Sequence, residues 1–309
     1  MFLRLFLAVS LACGVCAAQP DRRIALTIDD LPMAQSGPEA CEPENLMPAT
    51  KRLLAQFAAE KAPLTAFVIT SQCPGLTIKQ KRAALNLWRS AGVELGNHTH
   101  SHKSLSRTPI AEYEEDILKA DALLQDWTGK PVRFFRWPML HAGATPADKQ
   151  RLEAFLADHH FREAPVTFDN SDWIFANLFA YARRTANADL EKRVRDAYVP
   201  YMESVLAFFE QSSNELFGRE IPQILLMHSN MLNADATGDL LAMLRKRGYR
   251  FISLEEALED PAYAEPNEYV AANGISWLHR WKVTRGGKIE WEPDVPKWVQ
   301  EAFEAMQKN

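Results

Sequence analysis

Apolar and polar positions along this chain fall into blocks whose period switches repeatedly between two residues and about 3.6. Arg23 to Asp29 reads as a buried strand through Ile24, Ala25, Leu26 and Ile28, closing abruptly on two acids, Asp29-Asp30. A helix from about Glu44 to Lys61, with Leu46, Leu53, Leu54 and Phe57 on one face, leads to a strand from Leu64 to Thr70. The alternation recurs as a helix from Ile78 to Ser90 and a strand from Val93 to Gly96, after which His98, His100 and His102 occupy alternate positions. Thr108-Pro109 predicts a capped helix start, and Tyr113, Ile117, Ala120, Leu124 and Trp127 keep helical spacing as far as Gly129. A strand from Val132 to Arg136, a helix opening at Thr145-Pro146 and a short strand from Ala164 to Thr167 follow.

From Ile174 to Phe217 the pattern is helical, with Val194, Tyr198, Tyr201, Val205 and Phe208 on one stripe and Pro200 forcing a kink or a break. This segment is either an insertion over the mouth of the fold or a set of outer-layer helices. Ile221 to Met227 is a strongly apolar strand ending at His228; a helix through Leu240, Leu241 and Leu244 and a strand from Tyr249 to Ile252 come next. Strands alternating with helices imply a largely parallel sheet, and such sheets gather function at the carboxyl ends of their strands. Asp29-Asp30, His98 to His102, Arg136, Asp172 and His228 all sit at such ends, so they are expected to converge on one rim.

Composition narrows the class. Arg4, the apolar run Leu5 to Cys16 and the small residues before Gln19 read as an export signal over residues 1–18, too short for a transmembrane helix of about 20 residues. A lipid anchor through Cys13 or Cys16 is the alternative to soluble export. About 290 residues then remain, enough for one large α/β domain over 19–265 with a tryptophan-rich extension over 266–309. Trp277, Trp281, Trp291 and Trp298 in that extension fit aromatic packing onto the domain, with sugar stacking as the second possibility. In an oxidising compartment Cys41 and Cys73 are expected to pair, the alternative being two buried thiols. The net charge of -5 is mild and the basic residues are scattered, which argues against a nucleic-acid partner and leaves no stable membrane insertion to expect.

One carboxylate and two imidazoles make a common hydrolytic metal set with open positions, and Asp30, His98 and His102 supply it. The i,i+4 spacing places His98 and His102 on one face if the segment is a helical turn, with His100 pointing away. Asp29, on the other side of an extended chain from Asp30, is placed to act as general base, with Arg136 and Asp172 holding it. His228 is the candidate acid.

These motifs resemble those of the polysaccharide deacetylase (NodB-homology) family of carbohydrate esterases. Thr27-Ile28-Asp29-Asp30 is similar to the family's base-and-ligand motif, and His98 to His102 resembles its ligand pair. Arg136-Trp137-Pro138 resembles the groove wall, Asp169 to Trp173 the Asp-x-x-Asp-Trp motif, and Leu226-Met227-His228 the Leu-x-His motif. The resemblance implies a distorted or truncated (β/α) barrel, a divalent metal such as Zn2+, and removal of N-acetyl groups from an N-acetylglucosamine-containing glycan. It also implies that Asp172 holds Arg136, that Trp173 and Leu226 line the acetate pocket, that Trp137 lines the groove, and that the Met139 N–H binds the oxyanion. Met139-Leu140 departs from the aromatic-glycine pair usual there. A non-catalytic carbohydrate-binding protein of the same fold, or a hydrolase of a non-sugar amide, are the competing readings.

Overall fold

The structure, a computed structural model, describes residues 21–34 and 37–308, so the leader read over residues 1–18 lies outside the described residues. A seven-stranded sheet forms its centre: β1 (Arg23–Leu31), β2 (Leu64–Val68), β3 (Glu94–Asn97), β4 (Phe134–Phe135), β5 (Arg162–Glu163), β6 (Gln223–His228) and β7 (Arg250–Ile252). The order is β5-β4-β3-β2-β1-β6, with β7 also on β1, and every pairing is parallel. A bridge from Phe168 to Leu225 ties the chain just past β5 onto β6. The sheet thus curls towards closure as a truncated (β/α) barrel, the architecture implied above.

Two apolar clusters follow from the strand period of two. The small inner one holds Ala25, Phe67, Phe134, Ala164, Ile224 and Ile252, while Ile24, Leu26, Ile28, Phe135, Leu225 and Met227 join the large cluster beneath the helices. The inward column of β1 is therefore Ala25, Thr27 and Asp29, that of β6 Ile224, Leu226 and His228, and beyond β4 it continues to Arg136. Gly96 of β3 faces this interior, where a Cβ would stand 2.5 Å from the Phe67 ring, so only glycine lets the strand approach.

The helices are α1 (Pro43–Ala59), α2 (Ile78–Ser90), α3 (Ile110–Thr128), α4 (Pro146–Asp158), α5 (Asp172–Arg184), α6 (Ala188–Phe217), α7 (Met231–Lys246), α8 (Leu254–Ala257), α9 (Trp277–Thr284) and α10 (Lys297–Gln307). α5 and α6 pack on each other and on α7 as outer-layer helices. Their break falls at residues 185–187, and Pro200 lies inside α6 instead of ending it. The expected strand over residues 164–167 is displaced to β5, because residues 167–168 bond across to Ile224 of β6. α3 begins at Ile110 without a side-chain cap, since the Thr108 hydroxyl donates instead to the Ser104 carbonyl. Cys41 and Cys73 form a disulfide that joins the entry of α1 to the loop after β2. Trp277 and Trp281 are buried in the large core cluster, whereas Trp291 is exposed. No helix among the described residues is long and apolar enough to cross a membrane.

Candidate active site

Strict alternation would send the adjacent acids Asp29 and Asp30 to opposite faces of β1. The register against β2 slips between Ile28 and Leu31, and Asp30 adopts a left-handed φ of 66°. Such a bulge re-aims a side chain. Both acids consequently reach one place: His98 Nε2 lies 3.7 Å from Asp29 Oδ2 and 3.5 Å from Asp30 Oδ1. The expectation that the two acids face opposite ways is corrected by this bulge.

His98 follows the last residue of β3, and its Nδ1–H donates to the Arg136 carbonyl at 2.8 Å, which leaves Nε2 as the free lone pair. His102 Nε2 also lies 3.5 Å from Asp30 Oδ1. The segment between them is not the helical turn expected from the i,i+4 spacing: Thr99 and His102 both have positive φ, and the two rings meet edge-on at 5.0 Å. Asp116 of α3 holds this loop, accepting the His100 and Ser101 amides at 3.1 and 2.9 Å and the Ser101 hydroxyl at 2.7 Å. Sequence reasoning missed Asp116, although an acid interrupting the buried stripe between Tyr113 and Ile117 was a usable signal. His100 shares a hydrogen bond with the Thr70 hydroxyl at 2.8 Å, away from the other two imidazoles.

Ligand atoms of Asp30, His98 and His102 all lie within 4.8 Å of one another. Asp30 Oδ1 is buried and has no hydrogen-bond partner among the described residues. Burial opposes ionisation of Asp30, yet the facing imidazoles outweigh it and hold the carboxyl well below its usual range. Burial brings His102 down to about 4, so it is a neutral imidazole at pH 7. An unpartnered carboxylate oxygen facing two neutral-capable imidazoles is a donor set that fits a divalent cation.

Arg136 is fully buried and forms the floor: Nε donates to the Ala164 carbonyl at 2.7 Å, Nη2 to Thr27 Oγ1 at 3.0 Å, and Nη1 lies 3.3 Å from Asp29 Oδ2. Its guanidinium also lies 4.6 Å from the Phe67 ring centre. Asp172 does not touch it. That carboxylate instead accepts His228 Nδ1–H at 2.6 Å and the His228 backbone N–H at 2.9 Å, because Asp172 opens α5 directly beside the end of β6. Asn233 of α7 completes the bracket, donating to Asp172 at 2.9 Å and to the His228 carbonyl at 2.8 Å. Desolvation works against the charged form of His228, but Asp172 prevails and pushes it up to about 10.

The groove residues divide. Trp137 is corrected from a groove-wall contact to a core residue: Arg136 points inward, so Phe135 and Trp137 point outward. Trp137 stacks near Tyr113, packs edge-on to Phe135 and donates to Glu163. Met139, 45% exposed, is the apolar residue that the turn presents to solvent. Its N–H sits at the second position of a short helical turn, where no intrahelical acceptor exists. Trp173 is likewise 45% exposed and packs edge-on against Phe303 of α10 at 5.3 Å. Leu226 is buried on the inward column of β6, beside Thr27.

A curled parallel sheet bearing an Asp-His-His cation set, with a second acid and a carboxylate-bound histidine on the same rim, defines a hydrolase-type site in a truncated (β/α) barrel. Residues 17–153 match the family model for polysaccharide deacetylase. The chain is 25% identical over 240 residues to "Putative polysaccharide deacetylase YheN" of Bacillus subtilis (strain 168), covering 77% of this chain and 69% of the relative. Over these residues the chain is similar to the polysaccharide deacetylase family. In fold it is similar to the chitin deacetylase of the fungal pathogen Colletotrichum lindemuthianum, at a TM-score of 0.52 and 18% identity over 84% of this chain and 94% of that one. It is also similar to the CE4 family pseudoenzyme BA3943 of Bacillus anthracis, at a TM-score of 0.50 and 17% identity over 78% and 66% of the two chains.

Proposed function

We propose that this chain is a metal-dependent N-deacetylase that hydrolyses the acetamido group of N-acetylglucosamine units in a glycan, giving acetate and a free amine. The observation that carries this reading is the convergence of Asp29, the Asp30-His98-His102 set and the Asp172-His228 pair on one rim. Asp30, His98 and His102 would hold the cation, most simply Zn2+, which when bound polarises the acetyl carbonyl and eases deprotonation of water. Asp29 takes the proton from water as its oxygen attacks the carbonyl carbon, and Arg136 keeps that carboxylate oriented. The Met139 N–H binds the oxygen that becomes negative. As the C–N bond breaks, His228 gives its Nε2 proton to the departing nitrogen, while Asp172 holds the ring. Trp173 and Leu226 shape the acetyl pocket.

The Bacillus anthracis neighbour is described as a pseudoenzyme, so the fold by itself carries no activity; the filled base, ligand and acid positions support turnover over glycan binding alone. An exported location belongs to the same reading, supported by the leader-like residues 1–18 and by a disulfide that suits an oxidising compartment. Acetate release from acetylated chitin oligomers, peptidoglycan and exopolysaccharide is measured with added Zn2+. Release that disappears in Asp29→Asn supports the proposal; its absence from every substrate with the wild type sinks it.

A further inference from the structure

The Met139-Leu140 turn follows β4 on the rim and has a backbone shape that strand geometry does not dictate. Both residues are non-glycine and both are left-handed, with φ of 53° and 55°. Conformations of that kind persist only where surrounding groups over-determine them. Ser104 Oγ, 2.7 Å from His141 Nδ1, holds the end of the turn, and the further groups come from the C-terminal segment, outside the residues matched by the family model. Arg280 of α9 is fully buried, and its Nη2 donates to the Leu140 carbonyl while Nε donates to the Ile275 carbonyl at 2.9 Å. Its guanidinium stacks 3.8 Å from the Trp277 ring centre. No carboxylate among the described residues comes within ion-pair distance of it. Burying a guanidinium is costly, and the hydrogen bonds to carbonyls, with the more distant carboxylates of Glu163 and Asp169, compensate its placement.

From the other side, Gly274 lies flat on the turn. A Cβ built there would overlap the Met139 carbonyl oxygen and stand 2.7 Å from Leu140 Cβ. The Ser106 hydroxyl donates to the Ala272 carbonyl at 2.9 Å, fastening the same stretch to the short turn that follows His102. The carbonyl of Met139 is thus abutted and that of Leu140 is held, and these two contacts set the peptide planes on either side of the turn.

We propose that Gly274 and Arg280 are positioning residues that lock the Met139-Leu140 turn in the conformation presenting the Met139 N–H, making the C-terminal segment part of the active site. The inference rests on reading that N–H as the oxyanion donor. Arg280→Met, Arg280→Lys and Gly274→Ala are compared with wild type by acetate release, Zn2+ titration calorimetry and amide hydrogen exchange. Loss of a preorganised donor lowers kcat about ten- to hundredfold in Arg280→Met and Gly274→Ala, with KM and Zn2+ affinity within about threefold of wild type. Arg280→Lys regains part of the loss. The Leu140 and His141 amides, bonded to the Trp137 and Pro138 carbonyls, exchange at least about tenfold faster, while β6 is unchanged.

Wild-type exchange at the turn in folded variants, or unchanged kcat despite faster exchange, overturns the proposal. If Arg280→Met does not fold, Gly274→Ala, which keeps the guanidinium, decides alone. A wild type that releases no acetate defeats the functional reading, and the exchange data still decide whether the tail holds the turn.

Discussion

His228 Nδ1 donates to Asp172 Oδ1 at 2.6 Å, and the other oxygen of that carboxylate takes the His228 backbone N–H at 2.9 Å. The two-point bracket fixes both the tautomer and the tilt of the ring, so Nε2 is the nitrogen left for substrate. Although burial opposes the imidazolium, Asp172 drives His228 up to about 10, which keeps it protonated at neutral pH.

Asp172→Asn removes the carboxylate and leaves the desolvation. His228 then falls towards or below its ordinary value of about 6.5, and the acid form is depleted at pH 8. The expected result is a loss of more than about tenfold in kcat/KM at pH 8, with the alkaline limb of the pH profile moved down by at least about one unit. The linkage has a definite sign. A folded value above the unfolded one means the pair stabilises fully below about pH 6.5 and loses that contribution as pH rises through about 10. The Tm gap between wild type and Asp172→Asn should therefore be wide at pH 6 and narrow at pH 10.5. An alkaline limb that stays in place would remove His228 from the acid role.

Arg136 supplies a second test because its buried charge compensates Asp29, which is only 2% exposed. Arg136→Met strands that carboxylate beside Asp30, and breaking a buried pair in this way costs about 3–5 kcal/mol. Arg136→Lys retains the charge but cannot bond the Ala164 carbonyl, Thr27 and Asp29 together, so the base is less well held. Urea unfolding should rank stability as wild type, then Lys, then Met. Acetate release should fall in both variants, with the Lys variant losing more in kcat than in stability.

Much of the site was legible because strand ends in a parallel sheet share a rim, and Asp29, His98, Arg136 and His228 each follow an apolar run. What the pattern could not supply was the local backbone. The bulge that turns Asp30 beside Asp29 has no composition signal, and the left-handed Thr99 and His102 replace a turn that spacing alone suggested was helical. Trp137 was misread because motif adjacency ignores strand alternation: a residue next to an inward Arg136 must face out. Asp172 lies 36 positions from Arg136 and 56 from His228, and only the packing of α5 against β6 decides between them. The tail's contact with Met139 and Leu140 is a long-range packing event with no local sign at all.

The Cys41–Cys73 disulfide closes a loop with a sequence separation of 32. Chain-entropy reasoning gives about 3–4 kcal/mol of stabilisation for a loop of that length. The double variant Cys41→Ser, Cys73→Ser should show that loss in urea unfolding. Its acetate release at 25 °C should stay within about twofold of wild type, since neither cysteine bonds to Asp29, Asp30, His98, His102 or His228. A reductant should lower the Tm of the wild type and leave the double variant unchanged.

The three histidines that cluster after β3 separate by experiment. His102→Ala removes a donor 3.5 Å from Asp30 and should weaken Zn2+ binding roughly 100-fold or more, with acetate release lost in proportion. His100→Ala breaks only the bond to Thr70 and should leave Zn2+ affinity within about threefold. Asp116→Ala falls between them, because it frees the His100 and Ser101 amides and loosens the loop that carries His102 while leaving every donor in place. A loss of about ten- to hundredfold in Zn2+ affinity, partly recovered by Asp116→Asn, is the expected result. Equal effects of His100→Ala and His102→Ala in calorimetry would show that the loop, and not the second imidazole, governs the cation site.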